Sequence, residues 1–426
     1  MPWREAVTPT EMSRIAVIAP DARVHRVLAE TADTGVVEPD TTIDISDGGA
    51  DSLTIDAIVE QAHRTDQCIL VAGWTPAEQV APLRDRLALH GGAVAELPLP
   101  QGLEPPTAHH DNAATTAMRP LVTTYGTVPY RDVDPTWFAA LAYMLMFGMM
   151  FGDVGHGLIL ALAGWWVART SGKFAQYRRI APFLIGAGLA AIAFGFLYGE
   201  AFGPTGLVPT LWIRPLDEPE TLLLAGLVFG SCLLAITFGI ASVNRWREGG
   251  PRLALYAVSG LGGALLFAGF MISVVGAVGS ASRLLPLGLL AAALGFVLVF
   301  VGLLAGAGSG GSAVAQAIVE MFDTVLRMGS NVVSFTRLAA FGLTHAVISE
   351  VVWDGSTALW DRGGLYVAFA AALFLVGTAA AIALGALVGG IQALRLEYYE
   401  MFSRLFTREG RPFTPWHVPL DQLEVP

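Results

Sequence analysis

The chain has 426 residues, of which 54% are hydrophobic and only 14% are charged. Because a soluble domain carries roughly 25% charged residues, this composition excludes an ordinary soluble protein and predicts a membrane protein. The formal net charge of −11 lies entirely in residues 1–135, which hold 9 basic and 20 acidic side chains. This acidic balance argues against nucleic acid as a partner.

Residues 1–98 predict a small α+β domain, because short strand-like runs alternate with helix-like ones. One helix of this domain is expected to begin with Thr75 as its N-cap and with Glu78 closing a capping box. The N-terminus lacks the apolar core of a signal peptide, so we expect this domain to lie in the cytoplasm. A linker rich in Pro, Ala and Thr is expected over residues 99–134.

An all-α membrane domain is predicted over residues 135–411, followed by a cytoplasmic tail at 412–426. Four apolar runs each suit one membrane-crossing helix of about 20 residues: 182–202, 220–243, 253–277 and 284–306. The run 136–168 suits either one very long helix or two short helices broken at FGDVGHG, residues 151–157.

Loop charges decide between these alternatives, because basic loops stay on the cytoplasmic side of a membrane. Arginine and lysine residues cluster after residue 168, within 244–252 and after the last helix. With a cytoplasmic N-terminus, all three clusters face the cytoplasm only if 136–168 crosses twice. We therefore predict eight transmembrane helices, the last two long and tilted, in a multi-pass protein of the cell membrane with both termini cytoplasmic.

A stripe of polar residues runs along segment 314–352. Its members recur at steps of three, four and seven, within about a third of the helix circumference: Glu320, Asp323, Arg327, Ser330, Ser334, Arg337, Thr344 and His345. A charge at the bilayer centre costs at least about 2.5–3.5 kcal/mol, so such groups face water or a partner. The helix from Glu320 to Ser349 would be about 44 Å long and is expected to tilt, so that its polar stripe lines a water-filled ion path. The alternative is a helix whose charges pair inside a bundle for structural reasons.

The last helix is predicted from about Leu365 to Phe406. Gln392 and Arg395 lie one turn apart in this helix. The residues alone leave two interpretations of Arg395, an interfacial anchor and a functional group. The charges that follow it, including Glu400, lie where snorkelling to the membrane surface makes charge ordinary.

Several motifs resemble those of one known family, and they occur in order along nearly the whole chain. The segments SFTRLAAFGLTHAVIS and IQALRLEYYEMFSRLF resemble the paired arginine motifs of the membrane stator subunit of rotary V/A-type ATPases, called subunit a or subunit I. PYRDVDPTWFAALAYMLMFGMMFGDVGHG resembles that family's entry into the membrane, and FGFLYGEAFG resembles its next motif. AGWTPAEQ resembles a turn in its soluble domain.

The resemblance implies a stator that lies against a rotating ring of proteolipid subunits, with ions reaching the ring through two offset half-channels. It gives Arg337 the role of the family's essential arginine and Arg395 that of the second one. His345 and Gln392 stand where the family has a histidine and a glutamine. The implied partners are the proteolipid c-ring, the peripheral-stalk and central-stalk subunits and the lipid bilayer.

Two departures from the family pattern bear on the mechanism. Gly385 stands where the family has a glutamate, ten residues before the second arginine; Glu200, Glu320 and Asp323 are the candidates to supply that carboxylate. The soluble half is also shorter than the family's, because residues 36–56 join its two flanking pieces directly. We therefore expect the family's coiled-coil arm to be absent.

The leading prediction is a stator and half-channel subunit of a rotary V/A-type ATPase that moves H⁺ or Na⁺. The alternative is a non-rotary ion carrier or accessory scaffold descended from the same family. No P-loop pattern occurs, so we expect no catalytic site in this chain and no cofactor. With Cys68 and Cys232 as its two cysteines, the chain offers neither a disulfide framework nor a thiolate metal site.

Overall fold

The computed structural model describes residues 8–40, 54–65, 67–100, 102–109, 113–278 and 283–417. The chain forms two compact units. The first unit comprises residues 1–111, 126–134 and 408–426, and the second comprises residues 112–125 and 135–407.

An antiparallel sheet is the frame of the first unit. In the described residues its strands are β1 (Met12–Pro20), β2 (Glu38–Pro39), β3 (His63–Thr65), β4 (Cys68–Pro76) and β5 (Ala93–Glu96). The strand order is β2–β4–β1–β5, and β3 pairs with β4. The long central pair sets Val17 of β1 opposite Val71 of β4.

Three helices supply the other half of the hydrophobic core of this unit. They are α1 (Val24–Thr34), α2 (Ile55–Gln61) and α3 (Val80–Ala88). Buried side chains such as Ile15 of β1, Leu28 of α1 and Leu83 of α3 belong to one cluster. Trp416, near the C-terminus, is 1% exposed in the same cluster, and its backbone N–H donates to the carbonyl of Val37 at 2.8 Å. The predicted small α+β region is confirmed.

The helix start predicted at Thr75 is wrong. Thr75 lies in β4, where it pairs with Ser13 of β1. The helix α3 begins only at Val80, after a 3-10 turn over Ala77–Gln79. Pairing with β1 keeps the chain extended as far as Pro76, and this tertiary pairing overrides the local capping signal.

The connection predicted to replace the coiled-coil arm, residues 36–56, lies largely outside the described residues, which leave out 41–53. On one side of the gap, β2 ends at Pro39. On the other side, α2 begins after Thr54, whose hydroxyl accepts a hydrogen bond from the N–H of Ala57 at 3.3 Å. The absence of the arm therefore stays a prediction.

The regular secondary-structure elements of the second unit are helices in the part that the structure describes. Its helices are α4 (Ala113–Thr123), α5 (Thr136–Met150), α6 (Val154–Arg169), α7 (Ala181–Tyr198), α8 (Pro219–Tyr256), α9 (Leu261–Val278), α10 (Leu284–Ala307), α11 (Gly311–Ser334), α12 (Thr336–Trp360), α13 (Tyr366–Leu396) and α14 (Ser403–Leu405). A 3-10 segment, Gly172–Ile180, precedes α7, and a π-helical segment, Glu397–Phe402, joins α13 to α14.

Five helical stretches among the described residues are long and apolar enough to cross a membrane: Gln176–Tyr198, Pro219–Tyr256, Leu284–Ala307, Gly311–Trp360 and Tyr366–Leu405. The helices Thr136–Met150 and Leu261–Ala277 are apolar but shorter. At 1.5 Å per residue, the 15 residues of α5 span about 22 Å, less than the roughly 30 Å of a hydrocarbon core. The predicted count of eight spans is therefore not confirmed.

The predicted break at FGDVGHG is confirmed, because α5 ends at Met150 and α6 begins at Val154. Helix α6 then packs closely against α7. A Cβ added at Gly157 of α6 would lie 2.8 Å from the carbonyl oxygen of Gly188 in α7. Small residues let membrane helices approach to this distance, which fixes the start of α6 against its neighbour.

The polar segment 314–352 is not one uninterrupted helix, since α11 and α12 meet at Phe335. The backbone of Phe335 stays helical, with φ −73° and ψ −11°. Its fully buried side chain occupies the space beside Gly230 of α8, where an added Cβ would lie 2.0 Å from Cγ of Phe335. The contact of Phe335 with α8 fixes the position at which α12 begins.

Candidate functional site

The two predicted arginines come together in the second unit. Arg337 is the second residue of α12, and Arg395 lies in the last turn of α13. The carboxylate of Glu400, in the π-helical segment, interacts electrostatically with both guanidinium groups and with that of Arg404. We call Arg337, Arg395, Glu400 and Arg404 the arginine cluster.

The arginine cluster combines a buried anion with more accessible cations. Glu400 is 8% exposed, whereas Arg337 is half-buried and Arg395 is exposed. Because three cations surround one carboxylate, the buried charge of Glu400 is compensated and the cluster keeps a net positive charge. A site of this kind attracts a further anionic group most strongly where it is shielded from water.

Two other contacts hold the cluster in place. The hydroxyl of Ser334 donates to the carbonyl of Ser330 at 3.0 Å and also lies beside the carboxylate of Glu400. The guanidinium carbon of Arg404 lies 5.5 Å from the ring centroid of Phe238, a cation–π contact with α8. The predicted site residue Ser334 therefore lies at the arginine cluster.

Three other predicted site residues pair along their own helix instead. Glu320 accepts a hydrogen bond from the side-chain amide of Gln316 at 2.8 Å. Asp323 and Arg327 form an ion pair of 2.6 Å one turn apart, and both side chains are at least half exposed. These three side chains lie on an accessible face of α11. Asp323 and Arg327 also interact electrostatically with Arg404 of the arginine cluster.

A second group of buried polar side chains lies further along α12, about 12 Å from Arg337 at 1.5 Å per residue. Nε2 of His345 is 3.1 Å from Nδ1 of His156 in α6, so one proton lies between the two imidazole rings. Nδ1 of His345 and the hydroxyl of Ser349 are buried, and neither has a hydrogen-bond partner in the described residues. We call His156, His345 and Ser349, with Asp153 and Glu200, the histidine cluster.

Asp153 fixes one wall of the histidine cluster. Its side chain is fully buried and accepts three backbone hydrogen bonds, from His156 at 2.9 Å, Phe202 at 3.0 Å and Gly203 at 2.9 Å. These bonds cap the start of α6, at the break predicted in FGDVGHG, and tie down the loop after α7. The sequence did not indicate that His156 would also reach His345, because 189 residues separate them.

Gly385 of α13 lies directly beside the histidine cluster. A Cβ added there would lie 2.7 Å from Nδ1 of His345 and 2.7 Å from the ring of Phe151. The position therefore has no room for a longer side chain unless its neighbours move. Of the three candidates for the carboxylate missing at this position, Glu200 is the one that interacts with Asp153 of the histidine cluster.

Glu200 follows α7 and is 6% exposed. Burial, together with the nearby carboxylates of Asp153 and Glu350, raises the pKa of Glu200 to about 8. The folded chain therefore favours the protonated carboxyl of Glu200 at neutral pH.

The pKa of Glu200 gives a prediction for stability against pH. Because its pKa in the folded chain lies above the ordinary value of 4.5, the folded state binds the extra proton, and its stability falls as the pH rises from about 4.5 to about 8. Glu200→Gln should flatten this decline in thermal unfolding of the purified protein between pH 5 and 9. The exposed Glu220→Gln is the control, and an equal slope in both variants would contradict the assignment.

The predicted site residue Gln392 lies one turn before Arg395 on α13. Its amide oxygen is buried and has no hydrogen-bond partner within the described residues. Nearby on the same helix, the carbonyl of Gly390 accepts a hydrogen bond from the hydroxyl of Tyr143 at 3.2 Å. An unsatisfied buried amide marks a place where water or a ligand group is expected.

Helices long and apolar enough to cross a bilayer, with ionisable side chains buried between them, define a multi-pass membrane protein. Residues 58–215 match the sequence model of the V-type ATPase 116kDa subunit family. This match and those to the relatives below confirm the resemblance to subunit a/I of the V/A-type ATPases that the motifs indicated.

The chain is 27% identical over 403 residues to the A-type ATP synthase subunit I of Archaeoglobus fulgidus, covering 82% of this chain and 58% of the relative. It is 27% identical over 389 residues to the A-type ATP synthase subunit I of Halobacterium salinarum, covering 73% and 51%. It is 30% identical over 154 residues to a vacuolar proton translocating ATPase 100 kDa subunit of Dictyostelium discoideum, covering 32% and 18%. The chain thus spans just over half the length of the subunit I relatives.

Proposed function

We propose that this chain is the stator ion-channel subunit of a rotary V/A-type ATPase and passes H⁺ or Na⁺ to a ring of proteolipid subunits. The observation that carries the proposal is the arginine cluster, in which two different helices bring Arg337 and Arg395 around the buried Glu400. The similarity to subunit I proteins supports it.

The chemistry of the cluster suits this task. A rotor carboxylate that approaches Arg337 is held ionised, because a nearby cation lowers the pKa of a carboxyl group by about one to three units. The carboxylate must then release its ion before it passes and take up another one afterwards. A guanidinium does not lose its own proton under these conditions, whereas the amine of a buried lysine does.

The two clusters suit two separate half-channels. The arginine cluster and the histidine cluster lie about 12 Å apart along α12. A buried polar atom with open hydrogen-bonding capacity lies at each end: the amide oxygen of Gln392, one turn before Arg395, and the hydroxyl of Ser349 in the histidine cluster. In our proposal, one half-channel opens to the cytoplasm near Arg395 and Gln392. The other opens to the opposite side near His345, where Glu200 supplies the carboxylate absent at Gly385.

The proposed arrangement in the membrane has eight spans and cytoplasmic termini. It requires α5 and α6 to form a hairpin whose tip, at FGDVGHG, faces away from the cytoplasm, with both short helices crossing a locally thin or indented membrane. The proposed partners are the proteolipid ring, the two kinds of stalk subunit and the surrounding lipid.

Labelling of single cysteines tests this arrangement, once the native Cys68 and Cys232 have been replaced. Cysteines at Leu89 and Ser171 should react from the cytoplasmic side, and a cysteine at Leu207 should react from the opposite side. All three positions are exposed. Labelling of Leu89 and Ser171 from opposite sides would show that 136–168 crosses once and would overturn the eight-span proposal.

A non-rotary ion carrier or scaffold is the second candidate. The observation in its favour is Gly385, which stands where the resemblance implies a glutamate. Gentle purification of the full chain from its native membrane separates the two candidates. A rotary stator should bring with it a proteolipid subunit that carries a membrane-buried carboxylate and the subunits that hydrolyse ATP. Isolation of the intact chain without either would favour the carrier or scaffold.

A further inference from the structure

Glu397 is a buried acid that neither the arginine cluster nor the histidine cluster uses. It is the first residue of the π-helical segment Glu397–Phe402, and its side chain is fully buried. Neither carboxyl oxygen has a hydrogen-bond partner in the part of the chain that the structure describes. A π-helical turn inserted at the end of a long α-helix is rare and often marks a functional position.

Glu400, three residues further along, provides a direct comparison. Its carboxylate has Arg337, Arg395 and Arg404 as cationic neighbours. Glu397 has no charged neighbour that compensates it in the described residues, and the residues buried with it in this part of the chain include Leu396, Met401 and Phe402. Two acids of one short segment thus have opposite surroundings, one compensated by cations and the other not.

Two tyrosines in the described part of the chain are polar neighbours of Glu397. Tyr143 of α5 and Tyr398 interact electrostatically with its carboxyl group. The hydroxyl of Tyr143 donates to the carbonyl of Gly390, so its hydrogen is directed away from Glu397.

The charged groups of the other elements at this segment are directed elsewhere. Arg245 of α8 pairs with Glu248 at 2.6 Å and donates to Thr407. Arg404 of α14 lies over the ring of Phe238. Neither cation is therefore aimed at Glu397.

An ionised carboxylate in this position is strongly disfavoured, because an isolated buried charge loses its hydration without compensation. The group therefore holds a cation or a proton. A metal cation such as Na⁺ prefers several oxygen ligands, and the surroundings of Glu397 are mainly apolar. The geometry favours a proton.

We propose that Glu397 is a proton-binding site of the second unit, a carboxyl group that holds an exchangeable proton between α5 and the π-helical segment. It lies about 3 Å along the helix axis from Arg395, at the arginine-cluster end of the proposed ion path. Its role in transport rests on the proposed function, whereas the presence of the proton does not.

Infrared difference spectroscopy tests the site directly. The spectrum of the purified full chain at pH 7 minus that of Glu397→Gln should contain the carbonyl stretch of a protonated carboxyl group, and the band should shift in D₂O. Glu400→Gln, the matched control, should remove carboxylate bands instead. A difference spectrum for Glu397 that contains only carboxylate bands, or a carbonyl band that does not shift in D₂O, would overturn the proposal.

Two further measurements make the result decisive. Glu397→Gln should unfold at the wild-type temperature, because glutamine resembles the neutral acid, whereas Glu400→Gln should unfold earlier, because it leaves three cations without their anion. The carbonyl band should persist in high NaCl, and its replacement by carboxylate bands would identify Na⁺ as the occupant and contradict the proton assignment. A positive infrared result, combined with a native-membrane purification that yields no proteolipid subunit, would keep the proton site and reject only its rotary role.

Discussion

Replacing Arg337 by alanine should lower ATP-driven ion transport in membrane vesicles at least about 10-fold, while the complex still assembles. The lower limit follows from the effect of a nearby cation on a carboxyl group, whose pKa it lowers by about one to three units. Without Arg337, the ratio of ionised to protonated rotor carboxylate should therefore fall by about 10- to 1,000-fold. Because the side chain is half-buried in a cluster with a compensating carboxylate, its removal should cost less in folding than in transport.

Related variants give a ranking that a general loss of stability would not reproduce. Arg337→Lys should also fail or nearly fail, because lysine lacks the planar donor fork and loses its proton more readily when buried. Arg395→Ala should be intermediate. His345→Ala should only slow transport, since water can partly replace an imidazole that lines a channel. Arg362→Ala removes an arginine that lies 5.7 Å from the ring centroid of Tyr366 and should transport at the wild-type rate.

The second large effect is expected at Gly230, where the contact with Phe335 sets the start of α12. A Cβ at this position would lie 2.0 Å from Cγ of Phe335, and the side chain of Phe335 is fully buried. Gly230→Ala should therefore cost about 1–3 kcal/mol of stability, as overpacked cores do. It should also reduce transport, because it displaces Arg337, two residues beyond the ring.

Gly239 provides the matched control for Gly230, since it lies on the same helix and an added Cβ there meets nothing within 4 Å. Gly239→Ala should leave the unfolding temperature unchanged or raise it slightly, because alanine is the better helix former. Equal unfolding temperatures for both variants, together with wild-type transport by Gly230→Ala, would mean that the Phe335 contact does not position Arg337.

Local patterns predicted much of the secondary structure correctly. The break before α6 followed from FGDVGHG, and the structure shows the reason, since Asp153 caps the new helix. The error at Thr75 had the opposite cause, because a correct local signal was overridden by pairing with β1. The break at Phe335 was missed because its cause, Gly230, lies on another helix.

The candidate site was predictable as a set of residues but not as an arrangement. The polar periodicity identified Arg337, Ser334 and His345, yet it also placed Asp323 and Arg327 on the same stripe, where they pair with each other. Glu400 was interpreted as an interfacial charge, because nothing local indicates that three arginines surround it. Contacts between distant helices, such as His156 with His345, depend on tertiary packing that no short window contains.

The most direct measurement of the central claim is photocrosslinking from the accessible face next to Ser334. Val333 is 61% exposed and lies four residues before Arg337. A photoreactive residue at this position should therefore capture the molecule that faces the arginine cluster in the native complex. Leu290 of α10 is 69% exposed and serves as the control. Our account predicts a crosslink from position 333, and not from 290, to a proteolipid subunit with a membrane-buried carboxylate. A crosslink from position 333 to lipid alone, in a chain that still transports ions, would contradict the rotary stator.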